Sequence, residues 1–233
     1  MPPDASQPDP TPPVHPGQAD PEGYVKGNSV VQSAPLVPEI RLHLADERAP
    51  LWHKTQRDLY DDGIVLPFWA FAWAGGQALA RFILDDPSRV RGKRVLDFAS
   101  GSGLAAIAAM MAGARSALAV DIDPLAETAA LMNAIENGVI LETSTADMVG
   151  QSLEDFDLIL AGDICYEQSV AERVHGWLHR EAALGREVLI GDPGRTFLPR
   201  GALEQVTAYG VKSARDLDDT DVRNACVWRF TGA

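Results

Sequence analysis

Between Lys93 and Asp192 the chain repeats one unit, a short apolar run, a loop and a helical segment, and this repetition constrains the fold more than any other feature. KRVLDFA (93–99) leads into LAAIAAMMAG, an Ala-rich helix that Gly113 is placed to end. ALAVDI (117–122) precedes Asp123-Pro124, an N-cap residue and a first-turn proline, and that helix runs to Asn137-Gly138. ILETST, FDLILA and EVLIG supply three further strands, with a helix over 168–183 before the last. Strands alternating with helices imply a parallel sheet covered on both faces. The C-terminus departs from this pattern. VTAYGVKSA and RNACVWRF are strand-like runs joined by the acidic loop DLDDTD, which reads as an antiparallel hairpin. The expected fold class is therefore α/β, a seven-stranded, mostly parallel Rossmann-like sheet ending in an antiparallel hairpin.

A chain of 233 residues holds one ordinary domain and a tail, and 46% hydrophobic residues suffice for a full core. Residues 1–34 are rich in Pro, Asp, Gly and Ser with few large apolar side chains, so a disordered tail is expected there and the folded domain over 35–233. A net charge of −13 repels phosphates, which argues against nucleic acid and anionic membrane as partners. Cys165 and Cys226 form neither a disulfide framework nor a metal cluster, and the five histidines have no ligand spacing, so no metal is expected. No run of 18 apolar residues, secretory signal or transit peptide is visible. A cytoplasmic monomer is the expectation.

After the first strand, Gly101-Ser102-Gly103-Leu104-Ala105-Ala106 fits G-x-G-x-x-A, and Asp121 lies 20 residues beyond Gly101 at the end of the next strand. Small residues let a ligand approach the backbone, and an acid at that strand end can hold both hydroxyls of a ribose. The pattern alone fits a dinucleotide site, an adenosylmethionine site or a plain turn. Asp97 favours the adenosylmethionine reading, since it would repel a pyrophosphate yet could pair, directly or through water, with the ammonium of a methionine moiety.

VLDFASGSG with AVDIDP resembles the first two motifs of the class I S-adenosylmethionine-dependent methyltransferases. The sequence departs from them at Ala99, where glycine is usual, and alanine resists positive φ. Within that class, PFWAFAWAGGQALARFILDDP (67–87), GDICY (162–166) and IGDPGR (190–195) are similar to the electron-transfer flavoprotein β-subunit lysine methyltransferases and their bacterial relatives. The resemblance implies S-adenosyl-L-methionine as cofactor, with Asp97, Ala99, Gly101, Gly103, Asp121 and Ile122 around it. It also places Trp73 against the cofactor, Gln77 at its methionine end, and Asp147 on the adenine amino group. Trp69, Phe71 and Trp73 alternate, which puts them on one side of an extended segment entering a helix near Gly76.

GDICY resembles the D-x-x-Y motif of protein lysine methyltransferases and makes Asp163 and Tyr166 the expected catalytic pair. The lysine must attack as a neutral amine, and its nitrogen gains positive charge that a fixed carboxylate would stabilise. Asp192 and Arg195 read equally as a substrate entrance or as a turn. The implied substrate is the electron-transfer flavoprotein β-subunit. Another protein such as a ribosomal protein, a small amine, and a non-catalytic cofactor-binding module stand as alternatives.

Overall fold

The computed structural model describes residues 17, 19–48, 67–212 and 222–231. In chain order its elements are α1 (Pro21–Gly27), β1 (Val30–Ala34), β2 (Val37–Leu44), α2 (Ala74–Asp85), β3 (Arg94–Phe98) and α3 (Leu104–Met111). There follow β4 (Ser116–Val120), α4 (Pro124–Glu136), β5 (Glu142–Ser144), β6 (Leu158–Gly162) and α5 (Gln168–Ala183). β7 (Glu187–Asp192), β8 (Leu203–Lys212) and β9 (Val222–Phe230) complete the chain. Seven strands form one sheet in the order β5-β4-β3-β6-β7-β9-β8. The five from β5 to β7 pair in parallel, and β9 joins β7 and β8 antiparallel. The expected fold class is thus the observed one; the DLDDTD loop lies outside the described residues.

The central strands read as unbroken apolar runs because both of their faces are buried. Val95, Leu158, Leu160 and Leu189 point to the side covered by α2 and α3, where Leu79, Ile83 and Ile107 pack. Their neighbours Leu96, Ile159, Val188 and Ile190 point to the opposite side, against Trp177 and Leu178 of α5. In α5 the buried positions Ala171, Val174, Trp177, Leu178 and Glu181 recur at three- and four-residue spacing, a single helical face. Burying each large aliphatic side chain contributes roughly 1.5–3 kcal/mol.

The domain boundary expected at residue 34 does not hold. α1 and β1 are regular elements built onto the body, and β1 pairs antiparallel with β2. Val25 of α1 is buried with Leu125, Ala129 and Met132 of α4 and with Trp69. Backbone amides of β2 are held by side chains of α4 and its C-cap: His43 N donates to Asn133 Oδ1 at 2.7 Å and Arg41 N to Asn137 Oδ1 at 2.9 Å. The composition of 1–34 concealed this because a strongly Pro-rich stretch was averaged with a modestly apolar one. Residues 1–16 lie outside the described residues.

Chain order reverses at β3: the strands after it run outward through β4 to β5, then return to β6 on its other side. Ligand sites in open α/β sheets form at the carboxyl ends of strands flanking such a reversal. The loops following β3 and β6 meet there. So does the first turn of α2, which lies against β7 so closely that a Cβ on Gly75 would stand 2.1 Å from the Gly191 carbonyl oxygen.

Candidate active site

At this edge lies a cavity of about 490 Å³. Asp97, Ala99, Gly101, Asp121, Ile122, Asp147, Asp163, Tyr166 and Trp73 all line it, so nearly the whole set of expected site residues converges on one space. Gly103 stands just behind the lining, at the N-terminus of α3 with φ of 76°. A Cβ there would come within 2.9 Å of the Ala130 methyl, so glycine lets the loop close on α4. Gln77 is a correction. It is buried outside the cavity, where its amide donates to Ala72 O and accepts from Leu36 N, tying the β1–β2 turn to the start of α2.

The aromatic segment also differs from expectation. Phe68–Ala70 form a 3₁₀ turn rather than extended chain, so a three-residue period replaces alternation. Phe68, Phe71 and Trp73 face the cavity, while Trp69 is sealed in the core against α1 and α4. The Trp73 indole donates to Phe68 O at 2.9 Å, closing the turn, and the helix begins at Ala74.

The loop from Ala99 to Gly103 wraps the cavity floor. Ala99 adopts the left-handed conformation, φ 54°, despite its methyl group. Alanine there bears a cost of roughly 1–2 kcal/mol that glycine would not. Asp121 organises the turn by accepting from Gly101 N at 2.9 Å and Asp123 N at 3.1 Å, and burial raises its pKa. Asp97 is fully enclosed. Its Oδ2 accepts from Ala106 N at 2.9 Å, and burial, with Asp121 nearby, pushes its pKa up to about 7. Ile122, 73% exposed, forms an aliphatic lip. Asp147 accepts from Val149 N and pairs with Arg173 at 3.1 Å.

The turn after β6 lines the same cavity. Asp163 has φ 57°, anchored by its own N–H donating to Gly191 O at 2.8 Å. One carboxylate oxygen accepts from Gly76 N at 2.9 Å, and the other is ion-paired with Arg195 Nη1. Burial raises the Asp163 pKa, and Arg195 opposes that rise. Tyr166 is half exposed at the rim, with its ring 5.4 Å from that of Phe68. Of the two readings of IGDPGR, the turn is the one the structure shows. Asp192 caps a turn, accepting from Gly194 N and Arg195 N at 2.7 Å each, and that turn aims Arg195 into the cavity.

One residue escaped sequence reasoning. Asn133, fully buried in α4, donates to Ser102 O at 2.8 Å while accepting from His43 N, so it couples the glycine loop to β2. Its signal was an amide in the apolar run AALMNAI, where a buried polar group requires partners.

The donor set fits S-adenosylmethionine: a carboxylate for ribose hydroxyls, a buried acid for an ammonium, aliphatic and aromatic walls, and a loop that admits close backbone approach. Such a fold and site define a class I S-adenosylmethionine-dependent methyltransferase. Residues 79–166 match the Ribosomal protein L11 methyltransferase (PrmA) family. A solved structure from Pyrococcus horikoshii, assigned as an RNA methyltransferase, shares the fold with a TM-score of 0.53 at 14% identity, covering 80% of this chain and 91% of that one. The rat electron transfer flavoprotein beta subunit lysine methyltransferase is 38% identical over 218 residues, 90% of this chain and 84% of its own. Its human counterpart is 36% identical over 91% and 83% of the two chains. The chain belongs to the electron transfer flavoprotein beta subunit lysine methyltransferase family.

Proposed function

We propose that this enzyme methylates lysine side chains of an electron transfer flavoprotein β-subunit, using S-adenosylmethionine held by Asp97, Asp121 and the 99–103 loop. The observation that carries the reading is that Asp163 and Tyr166 line the same cavity as Asp97 and Asp121, beside Phe68, Phe71 and Trp73. When bound, the cofactor supplies an electrophilic methyl on a sulfonium. The chain's own residues prepare the amine. A lysine ammonium has a reference pKa near 10.4, and walls formed by Phe68, Phe71 and Trp73 disfavour its charged form by excluding water. Asp163 then faces the positive charge that grows on nitrogen as the bond forms. Tyr166 offers a hydroxyl and a ring at the opening, which narrows the approach. Holding the amine in line with the methyl supplies the larger share of the acceleration.

The substrate assignment is supported by the relatives' shared name over nine-tenths of the chain. We further infer action as a cytoplasmic monomer without nucleic acid, supported by the net charge of −13 and two isolated cysteines. Among the described residues no helix is long and apolar enough to cross a membrane. A ribosomal protein is the second candidate substrate, favoured by the match over 79–166. The test is incubation with labelled cofactor and either purified β-subunit or ribosomal protein L11, read by intact mass and peptide mapping. Lysine-mapped methyl increments on the β-subunit alone are expected. Label on L11 alone would transfer the substrate assignment, and label on neither would remove both.

A further inference from the structure

The role given above to Asp163 leaves one of its partners unexplained. A carboxylate this buried is costly as an anion unless it is paired, and Asp163 is paired with Arg195. Arg195 is itself fixed from behind. Its backbone N–H donates to Asp192 Oδ1 at 2.7 Å, its Nη1 lies 3.5 Å from Asp192 Oδ2, and Asp192 is fully buried at the end of β7. Its guanidinium carbon also lies 6.0 Å from the centre of the Trp73 ring. Both arginine and carboxylate line the cavity. One cation thus stands between two anions, and only one of these, Asp163, reaches the space where an amine would sit.

We infer that Arg195 is a positioning residue for methyl transfer: anchored on Asp192, its guanidinium fixes the Asp163 carboxylate on the cavity wall and tempers its hold on the substrate ammonium. An isolated carboxylate would stabilise the charge that grows in the transition state, but it would also retain the lysine in its unreactive protonated form. Arg195 lowers the second effect by satisfying one lone pair, while the Gly76 amide fixes the other oxygen, so the carboxylate presents a set direction to the amine. The inference rests on the proposed lysine chemistry and adds to it the group that sets the state of Asp163.

A consequence in pH separates positioning from mere structural support. Among the described residues, the charged and titratable groups facing Asp163 are Arg195 and Asp192 from the turn after β7 and Cys165 from its own turn. His175 of α5 stands behind, its Nε2 3.2 Å from Cys165 Sγ, and α2 contributes only the Gly76 amide. Arg195 is the cation among them that opposes the burial-driven rise of the Asp163 pKa. Without it Asp163 protonates at higher pH, and the acid limb of the rate profile moves upward with it.

The variants are Arg195→Met, Arg195→Lys, and Arg195→Met with Asp192→Asn, which removes the second anion left uncompensated. Single-turnover transfer to the β-subunit is measured from pH 5.5 to 9, and the Asp163 carboxyl resonance is titrated by ¹³C NMR, with Asp163→Asn assigning it. Arg195→Met should lose about 10- to 100-fold in rate near pH 7, the scale of a misaligned reacting group, and recover part of it at pH 9. Arg195→Lys should recover part at every pH, and cofactor affinity should hold. An unchanged acid limb and an unchanged carboxyl titration in the folded variants would overturn the inference. If Arg195→Met does not fold, the other two variants decide by the same readouts. If the wild-type chain transfers no methyl to the β-subunit, the substrate reading fails on that arm, and the carboxyl titration still decides whether Arg195 governs Asp163.

Discussion

Asp97 and Asp163 lie at the ends of neighbouring strands and line one cavity, and burial raises the pKa of both, yet their partners differ. Asp163 meets a guanidinium that opposes the rise, whereas for Asp97 burial dominates, helped by Asp121 nearby and opposed by the Ala106 amide, and its pKa rises to about 7. Between its ordinary value near 4 and that folded value, the folded state binds more protons than the unfolded state. This group's contribution to stability is therefore present at low pH, falls as pH rises through that window, and is lost above about 7. A ligand ammonium reverses the balance by favouring the anion. Cofactor binding near pH 6.5 should release protons, measured by calorimetry in two buffers of different ionisation enthalpy. Asp97→Asn should release fewer, bind more weakly, and melt above wild type at pH 8 without cofactor. Equal proton release would remove Asp97 from the ammonium site. Residues of this kind were legible in the sequence because they sit at fixed points, where an apolar run ends. Arg195 was half legible: the turn was seen, but its ion pair joins positions 32 residues apart and no local pattern encodes that.

The five parallel strands and the helices α3 to α5 were legible because periodicity and end signals agree in each. The hairpin β1–β2 was not, since its stability comes from α4, far along the chain. Two substitutions test the contacts that bind such elements. Gly191→Ala places a methyl 2.1 Å from Gly75 O, backbone that cannot rotate away, so α2 must lift from β7. That displacement breaks the Gly76 N contact with Asp163 as well. A loss of about 2–4 kcal/mol in denaturant unfolding is expected, together with a fall in methyl transfer. Asn133→Ala leaves His43 N and Ser102 O buried without this partner, at roughly 1–3 kcal/mol each. Because one of these groups belongs to the glycine loop, cofactor affinity should fall along with stability. Stability loss with unchanged affinity would confine Asn133 to holding the hairpin.

At the scale of the whole molecule, the chain's own beginning divides into two parts that composition alone could not separate. Within residues 1–16, seven are proline and the large apolar side chains are Met1 and Val14, a stretch that cannot offset its ordering entropy by burial. From Pro21 the chain instead supplies Val25 and Ala34 to the core and a strand to β2. Deleting residues 1–16 should therefore leave the melting temperature and turnover near wild type. Deleting residues 1–34 should not. It uncovers Leu125, Ala129 and Met132 of α4, removes the ladder partner of β2, and leaves the His43–Asn133–Ser102 chain resting on an unpaired strand. Loss of Val25 burial alone costs about 1.5–3 kcal/mol, before the strand pairing is counted. Paired thermal melts of the two truncations, each with and without cofactor, check this directly. A 1–34 deletion that melts like the full chain would show that the hairpin and α1 are accessory to the fold, and the domain would then begin where the composition first placed it.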